Sequence, residues 1–293
     1  MKASLYLVLA ALFWSGNFIV GKAAVESMTP LDLTFWRWTL AAVPLLLLAH
    51  VVEKPDWHAV LRRWPALLLL SALGMSGYTL LLYGALGQTS AVNAALITSA
   101  NPALIVVLAI VLLGERTTRL GWSGICLGLL GVLLVLTRGE LQRVFSFSLN
   151  GGEVLMIGAA VVWAFYTIIA RRLDVPAISA TAVQVAIAAV MLAPFALAAQ
   201  VRLPQTQAEA WSLAYIVVFP SLGAYLLWNI ALKTTPPGTA GNYLNLIVVF
   251  TAVITVALGT PLTLVQVAGG IMVVVGVLLT GIKAKDHARR RVA

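Results

Sequence analysis

Long apolar runs alternate with short polar links along the whole chain. A helix needs about 20 mostly apolar residues to cross the hydrocarbon core of a bilayer. By that measure the pattern predicts ten spanning helices, at 4–24, 32–52, 65–86, 92–112, 118–137, 152–171, 178–199, 211–232, 240–258 and 263–282. The links are short, as in a compact bundle, and the longest are 53–64 and 138–151. The first run follows Lys2 and reads as a retained span rather than a signal peptide. It is long enough to cross, and its polar pattern returns later in the chain.

That return is part of a duplication. The stretch 113–135, LGERTTRLGWSGICLGLLGVLLV, recurs 145 positions later as LGTPLTLVQVAGGIMVVVGVLLT, with eight of 23 paired positions identical and no gap. Leu113, Gly114, Thr118, Gly124, Gly131, Val132, Leu133 and Leu134 pair with Leu258, Gly259, Thr263, Gly269, Gly276, Val277, Leu278 and Leu279. ALFWSGNFIVGK (11–22) aligns with AVVWAFYTIIAR (160–171), which pairs Trp14 with Trp163, Asn17 with Tyr166 and Lys22 with Arg171. Pro44 falls within a residue of Pro194, Gly74 pairs with Pro220, and Tyr78 pairs approximately with Tyr225. Prolines at matched depths predict helices that bend around a central space. Self-similarity of this length predicts two copies, residues 1–140 and 150–283, followed by a basic tail at 284–293.

Charge sets the orientation. With the N-terminus inside, the cytoplasmic links and tail hold fourteen Lys and Arg and the outer links hold four, so both termini are expected in the cytoplasm. Five spans per copy is odd, so the second copy enters the membrane from the opposite side. The expected fold is an all-α membrane protein of two inverted-topology five-helix repeats, a plan of secondary transporters with the substrate site near the midplane. The composition agrees: 61% of residues are hydrophobic and only 10% charged, against about 25% charged in a soluble domain. The net charge of +9 sits in the short links and the tail, which fits membrane orientation and not nucleic-acid binding. A single cysteine, Cys126, leaves no disulfide framework or metal cluster.

Polar and aromatic groups inside the spans are the candidate site. Trp14 and Trp163 lie near mid-span, where an indole N–H needs a partner or water. They read either as an aromatic wall of a central cavity or as packing between helices. Asn17, Asn101, Asn242 and Asn245 carry amides that must face another helix or water. Ser99, Tyr78, Tyr166, Tyr225, Trp228 and Tyr243 complete the set, with Tyr83 beside it. Amides, hydroxyls and exposed carbonyls suit the head group of an amino acid, and aromatic faces suit its side chain and its ammonium. Together they fit a zwitterion better than a strongly anionic substrate. Arg37 is the one arginine well inside a span, and snorkelling to the outer surface or a structural contact is its expected role. Glu115 and Glu153 sit at span ends and read as helix caps, as do Thr118 and Thr263. Gly121, Gly124, Gly128 and Gly131, with Gly269, Gly270 and Gly276, give the fifth and tenth spans smooth faces for scaffold packing or a dimer contact.

On these motifs the chain resembles the drug/metabolite transporter superfamily, of the ten-helix EamA type. FWSGNFIVGKAA, TPLDLTFWRWTLAA with Arg37, and ANPALIVVLAIVLLGERTTRLGWSGICLGLLGVLL follow the pattern of a first repeat. VVWAFYTIIARRL and the 258–280 stretch follow a second. Within the superfamily it is most similar to the YddG-type exporters of aromatic and other amino acids. The second copy departs from the pattern, with Ile247 opposite Pro102 and Thr260 opposite Glu115, which argues against Glu115 as a transported-proton carrier. The resemblance implies an exporter of amino acids in a bacterial inner membrane, working by alternating access without cofactor or metal. Another metabolite or a cationic drug is the alternative substrate. No GxxxxGK[ST] loop is present, and no carboxylate or histidine lies deep in a span. Transport is therefore expected to be facilitated, and an embedded enzyme lacks its catalytic parts.

Overall fold

The computed structural model describes residues 2–89, 94, 97–115, 117–137, 142, 150–257, 259 and 263–290. In chain order its main helices are α1 (Lys2–Ala24), α2 (Pro30–Val52), α3 (Trp64–Gln88), α4 (Asn101–Leu113), α5 (Arg119–Thr137), α6 (Gly151–Arg172), α7 (Ala177–Ala198), α8 (Gln207–Thr234), α9 (237–257) and α10 (Leu264–Arg290). Among the described residues seven of these are long and apolar enough to cross a membrane: α1, α2, α3, α6, α7, α8 and α9. Shorter apolar helices occupy the other three expected ranges, at Asn101–Leu113, Arg119–Leu134 and Val267–Leu279.

The fourth range differs from expectation. Ser99 and Ala100 form a turn and α4 starts at Asn101, so 92–112 is not one continuous helix. Pro102 explains the break: it has no N–H to give the preceding turn, and its ring favours the first turn of a helix over the interior. Residues 90–93, 95, 96, 116, 138–141 and 143–149, with the 258–262 portion of the second copy except Gly259, lie outside the described residues.

Helix ends are closed by side chains, as buried backbone requires. Thr29 and Asp32 form a capping box on α2, and Asn150 and Glu153 form one on α6. Thr118 accepts the Gly121 N–H at 3.1 Å, as an N-cap should. Glu53, just past the end of α2, reaches across to the start of α7. Its carboxylate accepts the Ile178 and Ser179 N–H groups at 3.0 and 2.8 Å and the Ser179 hydroxyl at 2.6 Å. At the other end of the same pair, Arg202 N–H donates to Asp32 at 3.1 Å and Trp36 Nε1 donates to the Arg202 carbonyl at 2.9 Å. The end of each helix meets the start of the other, so α2 and α7 pack antiparallel.

The glycine faces do the same for α5 and α10. A methyl group added at Gly131 would lie 2.5 Å from the Gly269 carbonyl oxygen, and one added at Gly276 would lie 2.6 Å from that of Gly124. Glycine is required because the backbones touch. The direction is antiparallel here too, since the later glycine of each helix meets the earlier glycine of the other. On the outside, Val43, Leu47 and Val51 of α2 are each more than 60% exposed, as are Val190 and Leu197 of α7. Apolar surface on this scale is stable only against lipid.

Candidate functional site

Five helices bring aromatic rings together near their midpoints. Trp14 of α1 and Trp163 of α6 meet edge to face with centroids 5.1 Å apart. Tyr225 of α8 stands edge-on to both at 5.6 Å and to Trp38 of α2 at 5.1 Å. Trp228 contacts Trp14 at 5.5 Å and Trp163 at 5.6 Å. Tyr78 and Tyr166 lie against Trp163 at 4.9 and 5.2 Å. Each such pair contributes about 0.5–1.5 kcal/mol beyond area burial. The rings are packed on one another, with Trp14 8% and Trp163 2% exposed. Yet the indole N–H groups of Trp163 and Trp228 are buried with no acceptor among the described residues. Each leaves a desolvated donor at a cost of roughly 1–3 kcal/mol.

The local backbone explains how the rings converge. α3 and α8 each contain a π-helical stretch at the matched depth, Ser71–Gly77 and Val217–Ala224. Pro220 lacks the N–H that a regular ladder would use, which accounts for the second. Widened turns leave carbonyls for side chains. The Gly74 carbonyl accepts the Tyr225 hydroxyl at 2.6 Å and the Met75 carbonyl accepts Trp38 Nε1 at 2.9 Å. Gly74 must lack a side chain, because an added methyl would overlap the Tyr166 ring.

Two hydrogen-bond networks flank the aromatic rings. In the first half, the Tyr83 hydroxyl donates to Asn17 Oδ1 at 3.0 Å and accepts Arg37 Nη1 at 2.8 Å. In the second, the Tyr166 hydroxyl donates to Asn229 Oδ1 at 3.0 Å, and Asn229 Nδ2 donates to Thr181 at 3.0 Å. Asn17 pairs with Tyr166 in the duplication, and Tyr83 and Asn229 stand equally far before the matched C-caps Thr89 and Thr235. The same Asn–Tyr bond therefore occurs twice, with the residue types exchanged.

Arg37 does not snorkel. It is 1% exposed and turned inward, where Nε donates to the Ser221 hydroxyl at 2.9 Å. Its guanidinium carbon lies 4.4 Å from the Trp38 ring centroid and 5.6 Å from that of Tyr83. Ser221 is fixed in turn by donating to the Ile216 carbonyl at 2.6 Å, a bond of the π turn. Among the described residues no carboxylate pairs with Arg37. Desolvating an unpaired cation costs several kcal/mol, which the cation–π contact with Trp38 offsets only in part.

The remaining candidates lie elsewhere. Asn242 Nδ2 donates to the Gly276 carbonyl at 3.1 Å, and Asn245 Nδ2 donates to Asn242 at 3.2 Å. Both amides face the glycine surfaces of α5 and α10, since a methyl on Gly128 would lie 2.8 Å from Asn245 Nδ2. Tyr243 is buried in the intervening 3-10 turn. Ser99 and Asn101 are buried at the break before α4, which packs on the first turns of α9. Asn229 was not among the residues singled out by the sequence pattern; matching the two helix caps would have found it opposite Tyr83. At the helix ends, Arg202 forms a 2.9 Å ion pair with Glu209. At the opposite end, burial pushes the Glu115 carboxyl above the ordinary range, while the Arg171 charge and the Gly238 N–H pull it partly back. Glu115 thus lies beside the start of α9.

Apolar helices packed around a buried polar and aromatic centre, with apolar side chains turned outward, are the build of a multi-pass membrane protein. Two stretches, residues 1–137 and 150–282, match the EamA-like transporter family, and the chain belongs to it. An uncharacterized transporter of Archaeoglobus fulgidus is 33% identical, covering 98% of this chain and 99% of its own length. The uncharacterized transporter YyaM of Bacillus subtilis is 30% identical, covering 94% and 92%. YedA, an uncharacterized inner membrane transporter of Escherichia coli, is 27% identical over 86% of this chain and 79% of its own. One solved crystal structure of a protein superposes with a TM-score of 0.78 at 22% identity, covering 97% and 98% of the two chains, a likeness of fold.

Proposed function

We propose that this transporter exports amino acids, aromatic and other neutral ones, across a bacterial inner membrane by facilitated alternating access. The observation that carries this reading is the meeting of Trp14 and Trp163, equivalent residues of the two copies, in one aromatic cluster between the halves. We read the halves as inverted five-helix repeats with both termini in the cytoplasm. The double family match, the antiparallel α2–α7 and α5–α10 pairs and the cytoplasmic excess of basic residues support this. The rings close the centre, so substrate parts them as one half rocks against the other. Cationic drugs fit less well, because Arg37 places a positive charge beside the rings.

Proteoliposomes loaded with labelled phenylalanine test the reading. The purified protein should release label faster than empty vesicles, and Trp163→Ala should slow release severalfold while the protein stays folded. Absence of amino-acid movement across a panel of neutral substrates refutes the substrate assignment.

A further inference from the structure

We propose that Arg37 is the carboxylate-binding subsite of this transporter, so that recognition is by the carboxylate and an ammonium group is dispensable. The inference rests on reading the aromatic cluster as the substrate site. Arginine carries five N–H donors and keeps its charge in proteins. Two are used, by Ser221 and Tyr83, and the rest have no partner among the described residues. Trp163 and Trp228 add two more orphan donors in the adjoining cluster, linked to Arg37 through Trp38 and Tyr225. Also unpaired on the helices around this centre are the Thr34, Ser76 and Thr167 hydroxyls and Gln184 Oε1, so what singles the centre out is a cation lacking its anion. A carboxylate satisfies a planar guanidinium fork with two parallel bonds.

The described acids lie at helix ends, in links or in the basic tail, and none is in the aromatic cluster. Asp32 holds Thr29 and Arg202, Glu53 caps α7, and Glu153 caps α6. Glu209 pairs with Arg202, and Glu115 meets Gly238 and Arg171. Aromatic faces and uncharged oxygens, the Ser76 and Thr167 hydroxyls and Gln184 Oε1 among them, are what the centre offers the cationic end, with no anion. The substrate class is therefore a carboxylate with an aromatic or apolar side chain, which includes 2-oxo and 2-hydroxy acids as well as amino acids. Such acids, lacking the ammonium, would leave an inside-negative cell with the potential and need no coupling ion.

The test is competition against labelled phenylalanine in proteoliposomes, with tryptophan fluorescence quenching as the binding readout. Phenylpyruvate and phenyllactate should compete, while phenethylamine and phenylalanine amide should not. In Arg37→Gln the affinity for phenylpyruvate should fall roughly 30-fold or more. Its melting temperature should hold or rise, because an unpaired buried charge has been removed. Arg37→Lys, which keeps charge without the fork, should bind with intermediate affinity. If Arg37→Gln binds phenylpyruvate as wild type does, or if phenethylamine competes as well as phenylpyruvate, the subsite is refuted. If Arg37→Gln fails to fold, undiminished binding in Arg37→Lys refutes the fork. Amino-acid transport that persists in Arg37→Gln removes the subsite and leaves the export reading standing. Arg37-dependent quenching by phenylpyruvate, with no amino-acid movement, does the reverse.

Discussion

The two hydrogen-bond networks beside the aromatic cluster share an Asn–Tyr bond and differ in charge. One joins Asn17, Tyr83, Arg37 and Ser221; the other joins Tyr166, Asn229 and Thr181. The Asn–Tyr bond is kept in both, because each amide and hydroxyl in an apolar bundle must find a partner. Which helix supplies the amide is free to change, provided the other supplies the hydroxyl. That exchange shows what the scaffold demands. Arg37 shows what it does not demand, since the second copy holds its network with Thr181 and no cation.

Gly74→Ala should have the largest effect on stability, and it strikes the neutral network. The new methyl would overlap a Tyr166 ring carbon inside a packed interface, severely enough to exceed the usual overpacking cost of about 1–3 kcal/mol. It should lower the unfolding midpoint in mixed micelles containing a denaturing detergent. Tyr83→Phe acts on the charged network. It removes the acceptor for Arg37 and the donor to Asn17, and bonds to charged groups contribute roughly 1.5–3 kcal/mol. Tyr166→Phe removes the matching hydroxyl from a neutral pair, so about 1 kcal/mol is expected. The same detergent titration ranks all three. Equal losses for the two tyrosine variants would show that Arg37 takes no energetic support from Tyr83.

Much of the scaffold was legible in the sequence. Hydropathy placed most of the helices, Glu153 and Thr118 marked true helix starts, and the recurrent glycines marked a true close contact. Of the two sequence readings of Trp14 and Trp163, a cavity wall or packing between helices, the rings show direct packing on each other. Rotation of a helix about its axis was the missing quantity. Arg37 sits within two turns of the start of α2, close enough to a helix end to snorkel, and hydropathy is blind to which face it occupies. The same blindness grouped Asn242 and Asn245 with the aromatic residues, though they turn toward Gly276 and Gly128. The first π stretch was invisible because Ser71–Gly77 contains no proline and reads as ordinary helix.

The smallest expected effect lies at the opposite end of the bundle from the Arg202–Glu209 ion pair, where Glu115 meets Arg171 and the start of α9. Burial outweighs these partners and raises the carboxyl above its ordinary value, so the folded protein binds this proton more tightly than the unfolded chain does. The sign follows from linkage: the contribution is fully present below the unfolded value and is lost as pH rises through the raised folded value. Glu115→Gln should therefore flatten the pH dependence of the unfolding midpoint just above the normal glutamate range, and should leave the midpoint at lower pH nearly unchanged. A variant that instead loses stability at neutral pH would mean that the ionised carboxylate, held by Arg171 and the Gly238 N–H, is the form the fold prefers.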